Sequence, residues 1–501
     1  MKSNLFDFNH EVLLSCNQGE LVPIGVTPVV PGDSIKHATS CLIRVQPQLA
    51  PVMHKVVVTM HHWFVPYRII WDEWDNFWTG GPDGTSAPVR PYITTPASTG
   101  FGIGTLADYL GFVPEVPDVQ ISALPFRAYA KTYNYYYRDQ NLQSELVVST
   151  ASGADTTTNT TLQHAAWERD YFTSARPEPQ LGTDVTIPLT GDAPVVGDGN
   201  PFKLAGSGAG AFPNSRMIST YAAGQRLTYM EDAPTSAHTQ ALYADPDPDG
   251  LVGLKADLSD VSAVEMNDLR LAAALQRYKE NLMRFGHRPM ERLRAAFGVA
   301  PQDARNQEPE YLGGGRQVIQ FSEVLQTAEG TDPVGELRGH GISAGRTNRY
   351  RRYIPEFGLV MTLMCVRPKT VYAQAVNREW LKRTKEEFLQ PELTNLGQQE
   401  IWDGEAYMGA ASQYGVWGYQ DRYDEYRRAE SRIAGEFRDT LDFWHMARIF
   451  DSEPALNGDF VKANPTDRIY AAPSADQLYV RAMHNMKIKR RLPRVAKPRL
   501  F

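Results

Sequence analysis

The sequence predicts a mainly β protein: a β-sandwich with long inter-strand insertions that contain a few helices. Three observations carry this. Residues 52–64 and 357–366 are continuous apolar segments rich in Val, Met, Thr and aromatic residues, as expected of strands covered on both faces. Residues 477–488 alternate instead. Leu478, Val480, Ala482, His484, Met486 and Ile488 oppose Tyr479, Arg481, Met483, Asn485 and Lys487, giving one buried face and one wet face. Finally, 39 glycines and 34 prolines in 501 residues exceed the roughly 12% of an average chain, which favours many turns over a helical bundle. Strands at the start, middle and extreme end imply a sheet completed only when both termini are in place.

Taken in order, residues 1–37 are expected to lack a regular element, because Pro23, Gly25, Pro28, Pro31 and Gly32 interrupt them. Residues 149–260 change character. Runs such as Thr156-Thr-Thr-Asn-Thr-Thr161 and Gly206-Ser-Gly-Ala-Gly-Ala211 cannot form a core, so the segment is expected to be a variable surface insertion. Ser262-Ala-Val-Glu265 is a capping box. Val264, Leu271, Leu275, Tyr278, Leu282 and Phe285 follow at helical spacing until Gly286. A second helix is expected over residues 377–389, stopped by Pro391. The chain thus divides into one elaborated domain (1–501), an insertion (149–260) and a terminal arm (487–501).

Composition narrows the classes. The longest apolar run is far short of the ~20 residues that a bilayer demands. The first residues, MKSNLFDFNHEV, carry no apolar signal-peptide stretch. Three cysteines (Cys16, Cys41 and Cys365) make no disulfide framework, and there is no CxxC. Charge is unevenly placed. The net charge is −7, yet residues 487–501 contain Lys487, Lys489, Arg490, Arg491, Arg494, Lys497 and Arg499 with no acid. An acidic body with one basic end implies a single polyanion-facing surface, because exposed charge acts over roughly 8–10 Å. Pro493 and Pro498 punctuate this arm, which suits neutralisation of phosphates without sequence reading; a solvated tail, or an arm pairing with a neighbour's acidic body, is the alternative.

Other motifs carry less. Gly341-Ile-Ser343-Ala-Gly345 matches the serine-hydrolase elbow, but neither a buried strand before it nor a helix after it is expected, so it reads as loop. Asp245-Pro-Asp247-Pro-Asp249-Gly250 opens like a calcium loop, but the twelfth position is Ala256. Gly102-Ile-Gly104-Thr-Leu-Ala107 matches a dinucleotide pattern with no strand before it. His54, His61 and His62 on one strand point to opposite faces and are read as core or interface histidines, not metal ligands. No cofactor or metal site is expected. Trp71, Trp74, Phe77 and Trp78, and Tyr133, Tyr135, Tyr136 and Tyr137, are denser than one local core needs; Trp71, Trp74, Trp78, Tyr135 and Tyr137 are candidate interface aromatics, with plain core as the alternative.

Several blocks in fixed order then resemble a known family. They are Val30-Pro-Gly-Asp33, His62-Trp-Phe-Val-Pro66 through Trp78, Leu124-Pro-Phe-Arg-Ala-Tyr129, Tyr137-Arg-Asp-Gln-Asn-Leu142, Pro309-Glu-Tyr-Leu-Gly-Gly-Gly315, Trp417-Gly-Tyr-Gln-Asp-Arg422 and Leu441-Asp-Phe-Trp-His445. Together they resemble the major capsid proteins of the Microviridae, small single-stranded DNA phages, especially the gokushovirus side. The insertion matches nothing in that pattern, and the tail is more basic than the family's milder endings. The resemblance implies an eight-stranded antiparallel jelly roll and a non-enzymatic shell subunit. It implies pentamers and then about 60 copies in a T=1 icosahedral capsid around circular single-stranded DNA. It further implies protrusions from the insertion near threefold axes, assembly in the bacterial cytoplasm and a host receptor for the virion's outer surface. A small internal DNA-binding protein and a DNA pilot protein are its expected partners. The residues alone also permit a free single-stranded nucleic-acid-binding protein.

Overall fold

The computed structural model describes residues 3–183 apart from Asp83, residue 185, residues 307–327 and 335–495, and the short strands and helices named below between 195 and 298. The chain forms two compact units, Met1–Leu181 with Leu282–Phe501, and Gly182–Asn281.

The first unit is built on ten antiparallel strands: β1 (Asn4–Asp7), β2 (His10–Cys16), β3 (Leu21–Val29), β4 (Ser34–Val45), β5 (Val56–Pro66), β6 (Glu310–Leu325), β7 (Leu337–Arg346), β8 (Tyr350–Tyr353), β9 (Gly358–Pro368) and β10 (Leu478–Arg490). The order is β1-β10-β4-β7-β6-β5-β9-β3, with β2 also on β10 and β8 also on β4. β6 turns the corner. Its Glu310–Ile319 half pairs with β5, and its Gln320–Leu325 half pairs with β7. The sheet therefore curls into two facing layers, the jelly-roll arrangement that the resemblance implies. Eight strands lie along this path, with short β2 and β8 beside it, ten in all.

Both faces of β5 and β9 are covered, as their composition demands. Val56, Val58, Met60, Met364 and Val366 face the opposite layer with Ile43, Val480 and Ala482. Trp63, Val65, Leu359 and Met361 pack on Phe126 and Tyr129 of helix α2 (Leu124–Thr132), which follows α1 (Trp74–Thr79).

Three expectations are corrected. Residues 1–37 contain three strands and the start of a fourth. The prolines do no harm because β3 is an edge strand, and between Pro23 and Gly25 a bulge absorbs the irregularity. Residues 377–389 hold only a 3₁₀ turn, Arg378–Trp380. There the Asn377 side chain accepts from the Glu379 N–H at 2.8 Å, the Glu387 carboxylate takes the Thr384 N–H at 3.1 Å, and Lys382 pairs with Glu425 at 3.0 Å. The Asn377 bond caps the start of that turn, and the tertiary pairing of Lys382 with Glu425 then overrides the local helix propensity. The Gly341–Gly345 motif lies in strand β7, not in a loop.

The helix expected to end at Gly286 forms over Met266–Phe285; its capping box at 262–265 lies outside the described residues. In the second unit, Phe202–Gly206 pairs with Arg216–Ile218 and with Leu242–Ala244, and Val195–Gly197 pairs with Leu254–Ala256. A further helix covers Pro289–Phe297.

Residues 149–181 belong to the first unit, and one ion pair shows why. Arg127 of α2 and Asp155 are both fully buried, with Nε to Oδ2 at 2.7 Å. The guanidinium also donates to the carbonyls of Ile70 at 3.0 Å and Ala151 at 2.9 Å, while Asp155 accepts from the Thr158 hydroxyl at 2.7 Å. Removing one member leaves a buried charge unpaired. Asp155→Ala is expected to lower unfolding stability by about 3–5 kcal/mol, read from denaturant melts; a loss under about 1 kcal/mol would show that the pair does not pin the segment.

Candidate nucleic-acid interface

Strand β10 is two-faced. Leu478, Val480, Ala482, His484, Met486 and Ile488 are buried, while Tyr479, Arg481, Lys487 and Lys489 are exposed. Its neighbour β4 alternates in step, burying Ile35, His37, Cys41 and Ile43 and exposing Lys36 and Arg44. Residues opposite one another across an antiparallel ladder share a face at roughly 4.5–5.5 Å between Cβ atoms. The register therefore makes rows. Arg351 of β8 is opposite Lys36, Lys36 is opposite Lys487, and Lys487 is opposite Asp7. One step on, Tyr353, Ser34 and Lys489 line up, and towards the other end of the face Ile342, Arg44 and Tyr479 do.

Three cations in one cross-strand row repel one another, each pair costing a few tenths of a kcal/mol or more. The chain does not relieve this. Among the described residues, Lys36, Arg44, Arg346, Arg351, Lys487 and Lys489 form no ion pair, and the Asp7 carboxylate accepts instead from the Asn9 N–H at 2.9 Å. Arg481 is the exception, paired with Glu11 at 2.8 Å. Tyr353 (57% exposed) and Tyr479 (45% exposed) stand among the cations. Unneutralised cations with exposed rings on a rigid pleated surface are the chemistry for phosphates and stacked bases.

The arm residues divide. Lys487 and Lys489 belong to this face. Arg490 serves the fold: its Nη2 lies 2.7 Å from Oδ2 of fully buried Asp33, which also accepts from the Val30 N–H at 3.0 Å. Arg491 and Arg494 are exposed beyond the strand, and Lys497 and Arg499 lie outside the described residues. The arm thus starts at 491, later than the charge pattern places it, because the ladder to β4 and β1 continues to the end of the Lys-Ile-Lys-Arg run.

The aromatics divide too. Trp71 and Tyr137 are core: the Trp71 indole N–H donates to Ser152 Oγ at 2.8 Å, and the Tyr137 hydroxyl meets His61 Nδ1 at 2.8 Å. Tyr135 is half-buried, edge-on to Trp63. Trp78 is 61% exposed and sits on Phe357 with ring centroids 4.4 Å apart; half-buried Trp74 lies beside both. These rings and Phe77 form an exposed ledge.

Ser343 is buried mid-strand and donates to the Val318 carbonyl at 3.0 Å. His54 donates to the Lys369 carbonyl at 2.6 Å, and His62 lies between Thr362 at 2.9 Å and Thr347 at 3.1 Å. No group of three metal-ligating side chains occurs among the described residues, and no described helix is long and apolar enough to cross a membrane. The 245–250 loop lies outside the described residues. Lys36, Arg346 and Arg351 were missed by sequence reasoning. The run Arg346-Thr-Asn-Arg-Tyr-Arg-Arg-Tyr353, basic with interleaved rings, was the available signal.

A sequence profile of the family described as capsid protein (F protein) matches residues 1–500. The chain is 35% identical over 468 residues to capsid protein VP1 of Bdellovibrio phage phiMH2K, spanning 90% of this chain and 86% of that protein. It is 32% identical over 521 residues to capsid protein VP1 of Spiroplasma virus 4 (98% and 94%), and 29% identical over 578 to that of Chlamydia phage 1 (100% and 96%).

If the basic face contacts phosphates, Lys36→Gln and Arg351→Gln each weaken binding of a labelled single-stranded oligonucleotide regardless of its sequence. Each also lowers the slope of log affinity against log salt by about 0.7. Anisotropy titrations at several salt concentrations check this; unchanged slopes would exclude the face.

Proposed function

The chain belongs to the capsid protein (F protein) family of the Microviridae, and on that premise we propose that about 60 copies close into a T=1 icosahedral shell around a circular single-stranded DNA genome. It is a structural major capsid protein of a phage virion. The observation that supports the reading most is the match across residues 1–500, joined by relatives that align over nearly their own full length.

In this reading the face of β8, β4 and β10 looks inward at the genome, where packaged phosphates need counter-charge. Arm residues Arg491, Arg494, Lys497 and Arg499 add counter-charge for the genome. The ledge of Trp74, Phe77 and Trp78, together with Tyr135, contacts a neighbouring copy, since aromatic anchors concentrate interface energy. The insertion, given as residues 149–260 from sequence, supplies the surface that meets a host receptor. Assembly proceeds through pentamers in the bacterial cytoplasm, with a small internal DNA-binding protein and a pilot protein as partners. The protein performs no catalysis.

Light scattering and negative-stain imaging of the purified protein, with nuclease-resistant DNA assayed alongside, test this. Closed particles near sixty times 56.1 kDa that protect single-stranded DNA are expected. A stable monomer that binds free single-stranded DNA tightly would favour the free-binding alternative instead. Trp78→Ala is expected to weaken the contact between copies by about 30-fold or more, corresponding to about 2 kcal/mol, while leaving the protomer's melting temperature unchanged. Particle yield equal to wild type would remove the ledge from the interface.

A further inference from the structure

The strands that turn cations outward turn histidines inward. His37 of β4 and His484 of β10 are buried between the layers with His62 of β5, and their rings pack closely. Centroids are 4.7 Å apart for His37 and His62, and 5.2 Å for His37 and His484; His10 of β2 stacks on His484 at 4.6 Å.

Their hydrogen bonds form one connected network. The Ile24 carbonyl of β3 can only accept, so His484 Nε2, 2.8 Å away, carries the proton. His484 Nδ1 is then bare and faces two partners, His37 Nε2 at 3.0 Å and the Thr39 hydroxyl at 3.1 Å. His37 Nδ1 meets the Tyr350 hydroxyl at 3.0 Å. The chain Tyr350 to His37 to His484 to Ile24 thus crosses β8, β4, β10 and β3, joining both layers. Gly25 makes the last link possible, because a Cβ there would lie 2.6 Å from His484 Cε1. Both imidazoles are neutral in this arrangement, and a proton added to either puts an unpaired positive charge among close-packed, buried rings.

We propose that this cluster is an acid-operated latch: neutral, it holds the first and last strands in the sandwich; protonated, it releases β1, β2 and β10 from the facing layer.

Among the described residues, no negative charge stands by to offset the added protons. Burial is the largest influence holding His37 down to about 2, His62 to about 3 and His484 to about 4, and the neighbouring imidazoles add to it. From β2 the facing group is His10, from β8 Tyr350, from β9 Thr362 and from β3 only backbone. The nearby charges are engaged elsewhere or point away. Arg352 pairs with Glu310, Arg490 with Asp33, His61 bonds Tyr137 on the other face of β5, and Lys36 lies on the outer face. Because these pKa values are depressed on folding, the stabilisation is full above the ordinary histidine value near 6.5 and is lost as pH falls below it. Each ring costs the closed state about tenfold in its equilibrium per pH unit until its own folded value is reached. β1 and β2 open first because β10 is the only described strand they pair with. The device works within one protomer, whether or not the shell reading holds.

Hydrogen exchange of the full-length protein at pH 7.5 and 5.0, corrected for intrinsic rates, tests this. At pH 5.0, peptides covering residues 4–16 and 478–490 should exchange at least tenfold faster while those over 56–66 and 358–368 stay protected, and the change should reverse at pH 7.5. Retained protection at both ends, or simultaneous loss across all strands, would overturn the proposal. His37→Gln and His484→Gln should open at a lower pH than wild type; opening at the same pH would also overturn it. If neither variant folds, the wild-type exchange pattern decides alone.

Discussion

Everything in the first unit depends on strand β10, the last described strand, which hydrogen-bonds β1 and β2 along one edge and β4 along the other. The sheet is continuous only because the two ends of the chain meet there. Non-local pairing of this kind must bear loop-closure entropy before any contact rewards it. Once formed, its buried side joins the core that the two layers share, and its wet side joins the basic face. The strict alternation of one thirteen-residue strand thus supplies both a structural and an electrostatic surface.

That alternation explains why the basic face tolerates its own repulsion. Hydrophobic burial under β4 and β10 is worth roughly 1.5–3 kcal/mol per large side chain, well above the few tenths lost to each like-charge pair above it. A fold held by its inner face can afford an outer face shaped for a partner. Where a cation is needed internally, it is treated differently: Arg127 and Arg490 each meet a buried carboxylate.

How legible this was in the sequence depended on locality. The alternation at 477–488 placed β10 within a residue or two, and the 3.6-residue spacing placed the helix at 266–285. The strand expected from residue 52 begins at Val56. Residues 1–37 misled because proline penalties apply to central strands, and the edge position of β3 is a tertiary fact. Strand β7 was hidden by its glycines, which are there because neighbours fill the space a side chain would take: a Cβ on Gly341 would lie 2.8 Å from Val45 and 2.9 Å from Phe321. The histidine chain draws on positions 10, 37, 62 and 484, so no local spacing could reveal it. The basic tail was legible as charge, but the row formed by Arg351, Lys36 and Lys487 exists only through register.

The central proposal is that the pleated face of β8, β4 and β10, rather than the basic tail alone, meets the genome. Ultraviolet cross-linking of nucleic acid inside intact particles, read by peptide mass spectrometry, tests it most directly. The account predicts nucleotide adducts on the peptides carrying Tyr353 and Tyr479, with Lys36 and Lys487 nearby. Adducts confined to residues beyond 490, or to surfaces away from these strands, would contradict it.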